Sequence, residues 1–169
     1  MFNQMDAYIN MHNIQAASGK YSFTLGHNQF TDLSNSERNE MLNLRGEPPH
    51  PFPRELCAPS DPKQVSIVDV PDWVDWRTKN AVTPVKNQAS CGSCWTFATS
   101  GALEGSHAIL TGQLLTFSEQ QTLDCVSDSD PAGYDCYGCN GGWAMCAYMY
   151  YADNNQPLIL EEDYKYTMV

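Results

Sequence analysis

The chain has 169 residues and a net charge of −11, with 42% hydrophobic, 11% aromatic and only 17% charged residues. That is too apolar for a disordered chain and enough to bury the core of one domain carrying an appendage. Nine basic against 20 acidic residues argue against nucleic acid and anionic membranes as partners, because phosphate binding needs clustered Lys and Arg.

Taken in order, Phe2, Ile9 and Asn13 fall at helical spacing, and Gly19 follows where that helix ends. Tyr21-Ser22-Phe23-Thr24-Leu25 alternates as a half-buried strand does. Ser34 and Glu37 have the form of a capping box that opens a short helix toward Leu44. Six of the ten prolines then lie between Pro48 and Pro62, and such a stretch reads as extended and exposed. It separates residues 1–69, with 8 acidic and 5 basic groups, from residues 70–169, with 12 and 4.

Beyond the linker, Cys94 to Thr111 reads as a helix closed by Gly112. Cys94, Ala98, Gly101, Gly105 and Ala108 form a stripe of small residues along it. A face so bare predicts close approach by other backbone and a central place in the fold. Ser118 and Gln121 form a second capping box, and Trp143 to Asp153 is a third helix. The apolar run Met145–Ala152 falls well short of the ~20 residues that cross a membrane.

Seven cysteines in 169 residues favour an oxidising compartment. Met1 to Asp6 shows neither a basic nor an apolar leader region, so the expectation is a chain lacking its true beginning.

The densest chemical signal is Gln88-Ala89-Ser90-Cys91-Gly92-Ser93-Cys94-Trp95. A cysteine in the first turn of a helix gains from the positive end of the macrodipole, which favours the nucleophilic thiolate. Gln88, six residues upstream, is placed to fold back beside the sulfur. With the backbone N–H of Cys94 it would donate two hydrogen bonds to a developing oxyanion. Three other readings stand beside this one. A structural disulfide suits Cys91, and Cys91-x-x-Cys94 with Cys136-x-x-Cys139 outlines a four-thiolate zinc site, although the gap between the pairs is long for common ribbons. Cys-Gly-Ser-Cys also has the outline of a redox dithiol, but its tryptophan follows the second cysteine.

The run Gln88–Trp95 resembles the nucleophile segment of the papain-like (cathepsin L-like) cysteine peptidases. Val70-Pro71-Asp72-Trp73-Val74-Asp75-Trp76-Arg77 resembles the start of the mature enzyme, and Ala81–Gln88 and Leu114–Cys125 continue the likeness. Gly138-Cys139-Asn140-Gly141-Gly142 matches the family's Cys-Asn-Gly-Gly turn, and Asp163-Tyr164-Lys165-Tyr166 resembles its Tyr-Pro-Tyr region. Ala89 departs from the family, where glycine is usual. Upstream, Gly26, Asn28, Phe30 and Asp32 fit the Gly-x-Asn-x-Phe-x-Asp motif of the inhibitory propeptide. Phe2, Ile9 and Asn13 fit the tail of its long helix motif, with Met5 where asparagine is expected.

The resemblance implies an α+β, papain-like fold: a helical left-hand domain with a small α/β propeptide, and no β-barrel half. The divisions are residues 1–46 for the propeptide, 47–69 for the linker with the activation cleavage, and 70–169 for the helical half of the peptidase. Cys94 becomes the nucleophile and Gln88 part of the oxyanion hole. Cys91 pairs with Cys139, while Gly92, Tyr137, Gly141, Gly142, Trp143 and Ala144 line the substrate cleft. Trp143 either narrows the main specificity pocket or packs in the core. Cys125 lacks its family partner, Cys136 and Cys146 are candidates for an extra bridge, and Cys57 is a free thiol in the linker.

No cofactor or metal is implied. The implied partners are peptide and protein substrates and the chain's own propeptide in the cleft, with a monomeric state and a lysosomal or extracellular location for the full-length protein. The family's general base is a histidine roughly 130–150 residues beyond the nucleophile, followed by an asparagine. His12, His27, His50 and His107 fit neither role, so the chain is expected to be an incomplete, inactive precursor. A non-catalytic, propeptide-like inhibitor or binding protein is the rival reading.

Overall fold

The computed structural model describes residues 2–41, 71–126 and 136–168. The Pro-rich linker, Leu44, His50, Cys57 and the expected cleavage region before Val70 lie outside them. The chain forms two compact units, Met1–Asn43 and Leu44–Val169, each described by itself.

In the N-terminal unit, α1 (Phe2–Ala17) buries Ile9 and His12. It ends in a Schellman motif at Gly19, where Gly19 N–H bonds Ala16 O at 2.9 Å and Lys20 N–H bonds Gln15 O at 3.0 Å. The expected strand at residues 21–25 does not form. Instead the Asn13 carboxamide donates to Leu25 O at 2.8 Å and accepts from Leu25 N–H at 2.7 Å. One carboxamide carries the same donor and acceptor as a peptide group, so the segment is held without a partner strand. The alternation that suggested a strand places Tyr21 and Phe23 against His12, at ring separations of 4.4 and 4.8 Å. A second helix, α2 (Asn35–Met41), opens on a complete capping box. Ser34 N–H bonds Glu37 at 2.7 Å, and Glu37 N–H bonds Ser34 Oγ at 3.2 Å.

In the C-terminal unit, α3 (Cys94–Thr111) packs against both α4 (Glu119–Cys125) and α5 (Ala144–Asn154). It is central, but not through its bare stripe. Cys94, Ala98 and Gly101 are exposed, and only at the far end does Gly105 meet the Ala81 carbonyl. The buried face carries Trp95, Thr96, Thr99, Ser100 and Glu104. Trp95 anchors a core with Leu123, Val126, Cys136, Cys146 and Ala147, the large apolar burial that holds the three helices together.

Ser118 caps α4 by accepting from Gln121 N–H at 3.0 Å. The reciprocal half of that box is missing, because the Gln121 carboxamide bonds Pro157 O at 2.8 Å and Ile159 N–H at 2.9 Å. Helix α5 begins one residue after the expected start, with Trp143 as its N-cap. Among the described residues, β structure is limited to one antiparallel bridge between Phe117 and Leu160.

Candidate active site

Residues 87–93 form the loop in front of α3. Asn87 Oδ1 accepts from Ala89 N–H at 2.8 Å, and the turn this closes gives Ala89 a φ of +51°. That region favours glycine, which is the physical reason that glycine is the usual residue there. The Gln88 carboxamide donates to Cys91 O at 2.9 Å, so its side chain is folded back along the loop toward α3.

The loop is fastened to the 138–142 turn. Cys91 and Cys139 are joined by a disulfide with a Cα–Cα distance of 4.6 Å across 48 residues. Gly92 N–H donates to Cys139 O at 2.9 Å, and a Cβ on Gly92 would stand 2.4 Å from that oxygen. On the other side of the turn, a Cβ on Gly142 would meet Cys136 Sγ and the Trp95 ring at 2.9 Å. Both glycines are required by close approach rather than by backbone angle. With Cys91 and Cys139 bonded to each other, the four-thiolate zinc site loses two of its sulfurs, and a Cys91–Cys94 dithiol is equally ruled out.

Cys94 is an exposed thiol and the first residue of α3. Among the described residues no acceptor takes its backbone N–H. Ser93, the N-cap, is fully buried but makes no side-chain capping bond. Its Oγ lies 2.6 Å from the Tyr166 hydroxyl, which also donates to Gln88 O at 3.0 Å. Burial pushes the Tyr166 hydroxyl's pKa up, partly offset by the Ser93 contact, so it stays protonated.

Of the other expected cleft residues, Tyr137 accepts from Asn140 N–H at 3.0 Å and donates its own N–H to Gly141 O at 2.9 Å. Trp143 is half-buried and packs on the Trp95 core, and its N–H bonds Cys136 Sγ at 3.3 Å. Its indole Nε1 is buried without a hydrogen-bond partner among the described residues. Ala144 opens α5. Cys136 and Cys146 are buried thiols rather than the extra bridge, and Cys136 Sγ contacts the Trp143 backbone. Cys125 is an exposed thiol whose pKa is raised, chiefly by burial of its sulfur.

Beside Gln88 runs a cluster with no counterpart in the sequence reading. Lys86 Nζ bonds the buried carboxylates of Glu104, at 2.6 Å, and Glu119. Thr83 Oγ1 at 2.6 Å and Phe117 N–H at 2.9 Å complete the Glu104 shell. Burial alone would lower the lysine pKa, but its two carboxylate partners raise it. Burial raises the Glu119 carboxyl, with Lys86 opposing. A cavity of about 250 Å³ opens here, lined by Thr83, Pro84, Lys86, Gln88, Phe97, Gly101 and Glu104.

The second expected motif lies in the N-terminal unit. Asn28 Oδ1 accepts from Phe30 N–H at 2.9 Å, and Asn28 N–H donates to Thr31 Oγ1 at 2.8 Å. Phe30 O accepts from Leu33 N–H at 3.2 Å. These bonds make a tight turn that leads into α2, with Asp32 exposed at its end. Nothing in this unit crowds Gly26.

Sequence reasoning missed Tyr166 as part of the site, along with Lys86, Glu104 and Glu119. The one available signal for Tyr166 was its place in the Tyr-Lys-Tyr stretch, since its bonds to Ser93 and Gln88 span 73 and 78 residues.

Comparison with known proteins gives a consistent result. Residues 70–169 match the papain family cysteine protease domain. The chain is 42% identical over 147 residues to digestive cysteine proteinase 1 of Homarus americanus, covering 87% of this chain and 42% of that protein. Identity to procathepsin L of Rattus norvegicus is 39% over 158 residues, covering 94% and 44%. The solved structure of digestive procathepsin L 3 from the Tenebrio molitor larval midgut aligns with a TM-score of 0.72 at 34% identity, over 99% of this chain and 50% of that one. This chain thus spans 42% and 44% of the length of these two curated relatives.

Proposed function

This chain belongs to the papain family of cysteine proteases, and from that membership we propose that it is the precursor of an endopeptidase in which Cys94 is the nucleophile. The observation that carries the reading is the Cys94 thiol, exposed at the start of α3 beside a backbone N–H with no acceptor among the described residues. The Cys91–Cys139 disulfide holds the loop that carries Gln88, whose carboxamide bonds Cys91 O.

The thiolate adds to the scissile carbonyl, and the resulting oxyanion is received by Cys94 N–H and the Gln88 carboxamide. Collapse of the adduct breaks the C–N bond and leaves a thioester on Cys94, which water then hydrolyses. The departing amine must gain a proton. His107 does not supply it: at 1.5 Å per residue it lies about 20 Å further along α3, and it bonds Gln113 O at 2.8 Å. An extended substrate runs along Gly92, Gly141 and Gly142, flanked by Tyr137, Trp143 and Ala144.

Residues 1–46 act as the propeptide. Cleavage falls between Pro62 and Pro71, at the end of the Pro-rich stretch. The disulfide supports a lysosomal or extracellular setting for the full-length protein.

The test is a single-turnover acylation. The disulfide-intact chain, mixed with a p-nitrophenyl ester of an N-blocked amino acid, is expected to release one equivalent of p-nitrophenolate. The acyl group should map to Cys94, with no sustained turnover after the burst. A burst that persists in Cys94→Ala would overturn the assignment.

A further inference from the structure

We propose that Tyr166 is a positioning residue for the oxyanion site, tying the residue that supplies one donor to the turn that supplies the other. This rests on the roles given above to Cys94 and Gln88.

A tyrosine hydroxyl has one proton. At Tyr166 it goes to the Gln88 carbonyl at 3.0 Å, so in the 2.6 Å contact Ser93 is the donor. The result is a directed chain, Ser93 O–H to Tyr166 O–H to the carbonyl of Gln88. It joins the backbone of Gln88 to the residue immediately before Cys94. An N-cap serine ordinarily accepts a bond from the first turn of its own helix. Ser93 makes no such bond. Its hydroxyl bonds Tyr166 instead, which fixes the turn.

The anchor is itself immobilised. Tyr166 N–H bonds Glu161 at 3.0 Å, Thr167 N–H bonds Gln120 at 2.8 Å, and the ring meets Phe97 edge-on at 5.0 Å. Gln88 is therefore held at its carbonyl by Tyr166 and at its carboxamide by Cys91 O. Two donors serve one oxyanion only when both lie close to 3 Å from it, and displacements on the order of 1 Å cost up to about a hundredfold in rate. The Tyr166 hydroxyl sets that separation without touching the reacting atoms.

The test compares two reactions of the same sulfur in the disulfide-intact chain. With p-nitrophenyl acetate, the thiolate adds to the carbonyl and the oxyanion collapses. The C–O bond then breaks and p-nitrophenolate departs with the electron pair, leaving Cys94 as a thioester. Iodoacetamide is attacked at its methylene carbon, where the S–C bond forms as the C–I bond breaks and iodide leaves, and no oxyanion forms. In Tyr166→Phe and in Ser93→Ala, acylation of Cys94 is expected to fall about tenfold. Alkylation should stay within about twofold of the parent, and Ser93→Thr should restore acylation. If Tyr166→Phe fails to form the Cys91–Cys139 bridge, Ser93→Ala removes the same bond from its other end and decides the matter. An unchanged ratio in these variants, with Gln88→Ala still lowering it, would overturn the role of Tyr166 alone. An unchanged ratio in Gln88→Ala as well would overturn the oxyanion reading beneath it.

Discussion

Gly92 and Cys139 approach so closely that the N–H of one donates to the carbonyl of the other at 2.9 Å, immediately beside the sulfur bridge between Cys91 and Cys139. The loop before Cys94 is therefore pinned to the 138–142 turn twice, by a covalent bond and by backbone. A methyl group on Gly92 would stand 2.4 Å from the Cys139 oxygen, where no flexible side chain can yield. Gly92→Ala is expected to destabilise the chain by about 2–3 kcal/mol, as backbone overpacking does. Urea denaturation checks this, and a loss under about 0.5 kcal/mol would show that the contact is looser than described.

The disulfide closes a loop of 48 residues. On the chain-entropy account, a loop of that length contributes about 4 kcal/mol by restricting the unfolded state. Replacing both Cys91 and Cys139 with alanine should lower stability by that order. Peptide mapping without reduction should find these two bridged in the parent and Cys94 unbridged. Cys94 in a bridge would contradict the site.

Ala89 sits at a φ of +51°, which costs an L-residue about 1–2 kcal/mol relative to glycine. Greater freedom of glycine in the unfolded chain offsets roughly 0.5–1 kcal/mol of this. Ala89→Gly is therefore expected to stabilise the chain by about 0.5–1 kcal/mol, read as a higher denaturation midpoint with an unchanged slope. A lower midpoint would place the turn in another conformation.

Lys86 faces two carboxylates whose side chains are only 1% and 2% exposed. Lys86→Met leaves both without their counterion and should cost about 3 kcal/mol at neutral pH. The sign of the pH dependence follows from Glu119, whose pKa is raised by burial and held back by Lys86. A folded-state pKa above the unfolded one means that the folded chain binds the extra proton, so stability falls as pH rises through that interval. Removing Lys86 widens the interval. The variant should therefore recover stability as the pH is lowered toward the ordinary carboxyl value of 4.5, more steeply than the parent. Equal pH slopes in parent and variant would contradict the cluster.

Local patterns were legible because their partners lie within a few residues. The Ser34–Glu37 box is complete, and the helix Cys94–Thr111 ends at Gly112 in the left-handed conformation. Where a partner comes from far along the chain, the local rule loses. Gln121 looked like the second half of a box, but Pro157 and Ile159 claim its carboxamide. The alternation at residues 21–25 records packing on His12 rather than a sheet. The small-residue stripe was read correctly as bare, yet its first three positions are exposed and α3 packs through its other face. Cys94 and Gln88 could be proposed together from residues of one loop, whereas Tyr166 could not, because no spacing links it to a loop 78 residues away.

The most direct test of the central claim sets Cys94 against Cys125, the other exposed thiol among the described residues. The disulfide-intact chain is treated at neutral pH with less than one equivalent of p-nitrophenyl acetate and mapped without reduction. Cys94, whose N–H has no acceptor among the described residues, is expected to carry nearly all of the acyl group, while Cys125, whose pKa is raised chiefly by desolvation of its sulfur, carries little. Equal acylation of the two cysteines, or a preference for Cys125, would contradict the reading of Cys94 as a nucleophile in a built oxyanion site.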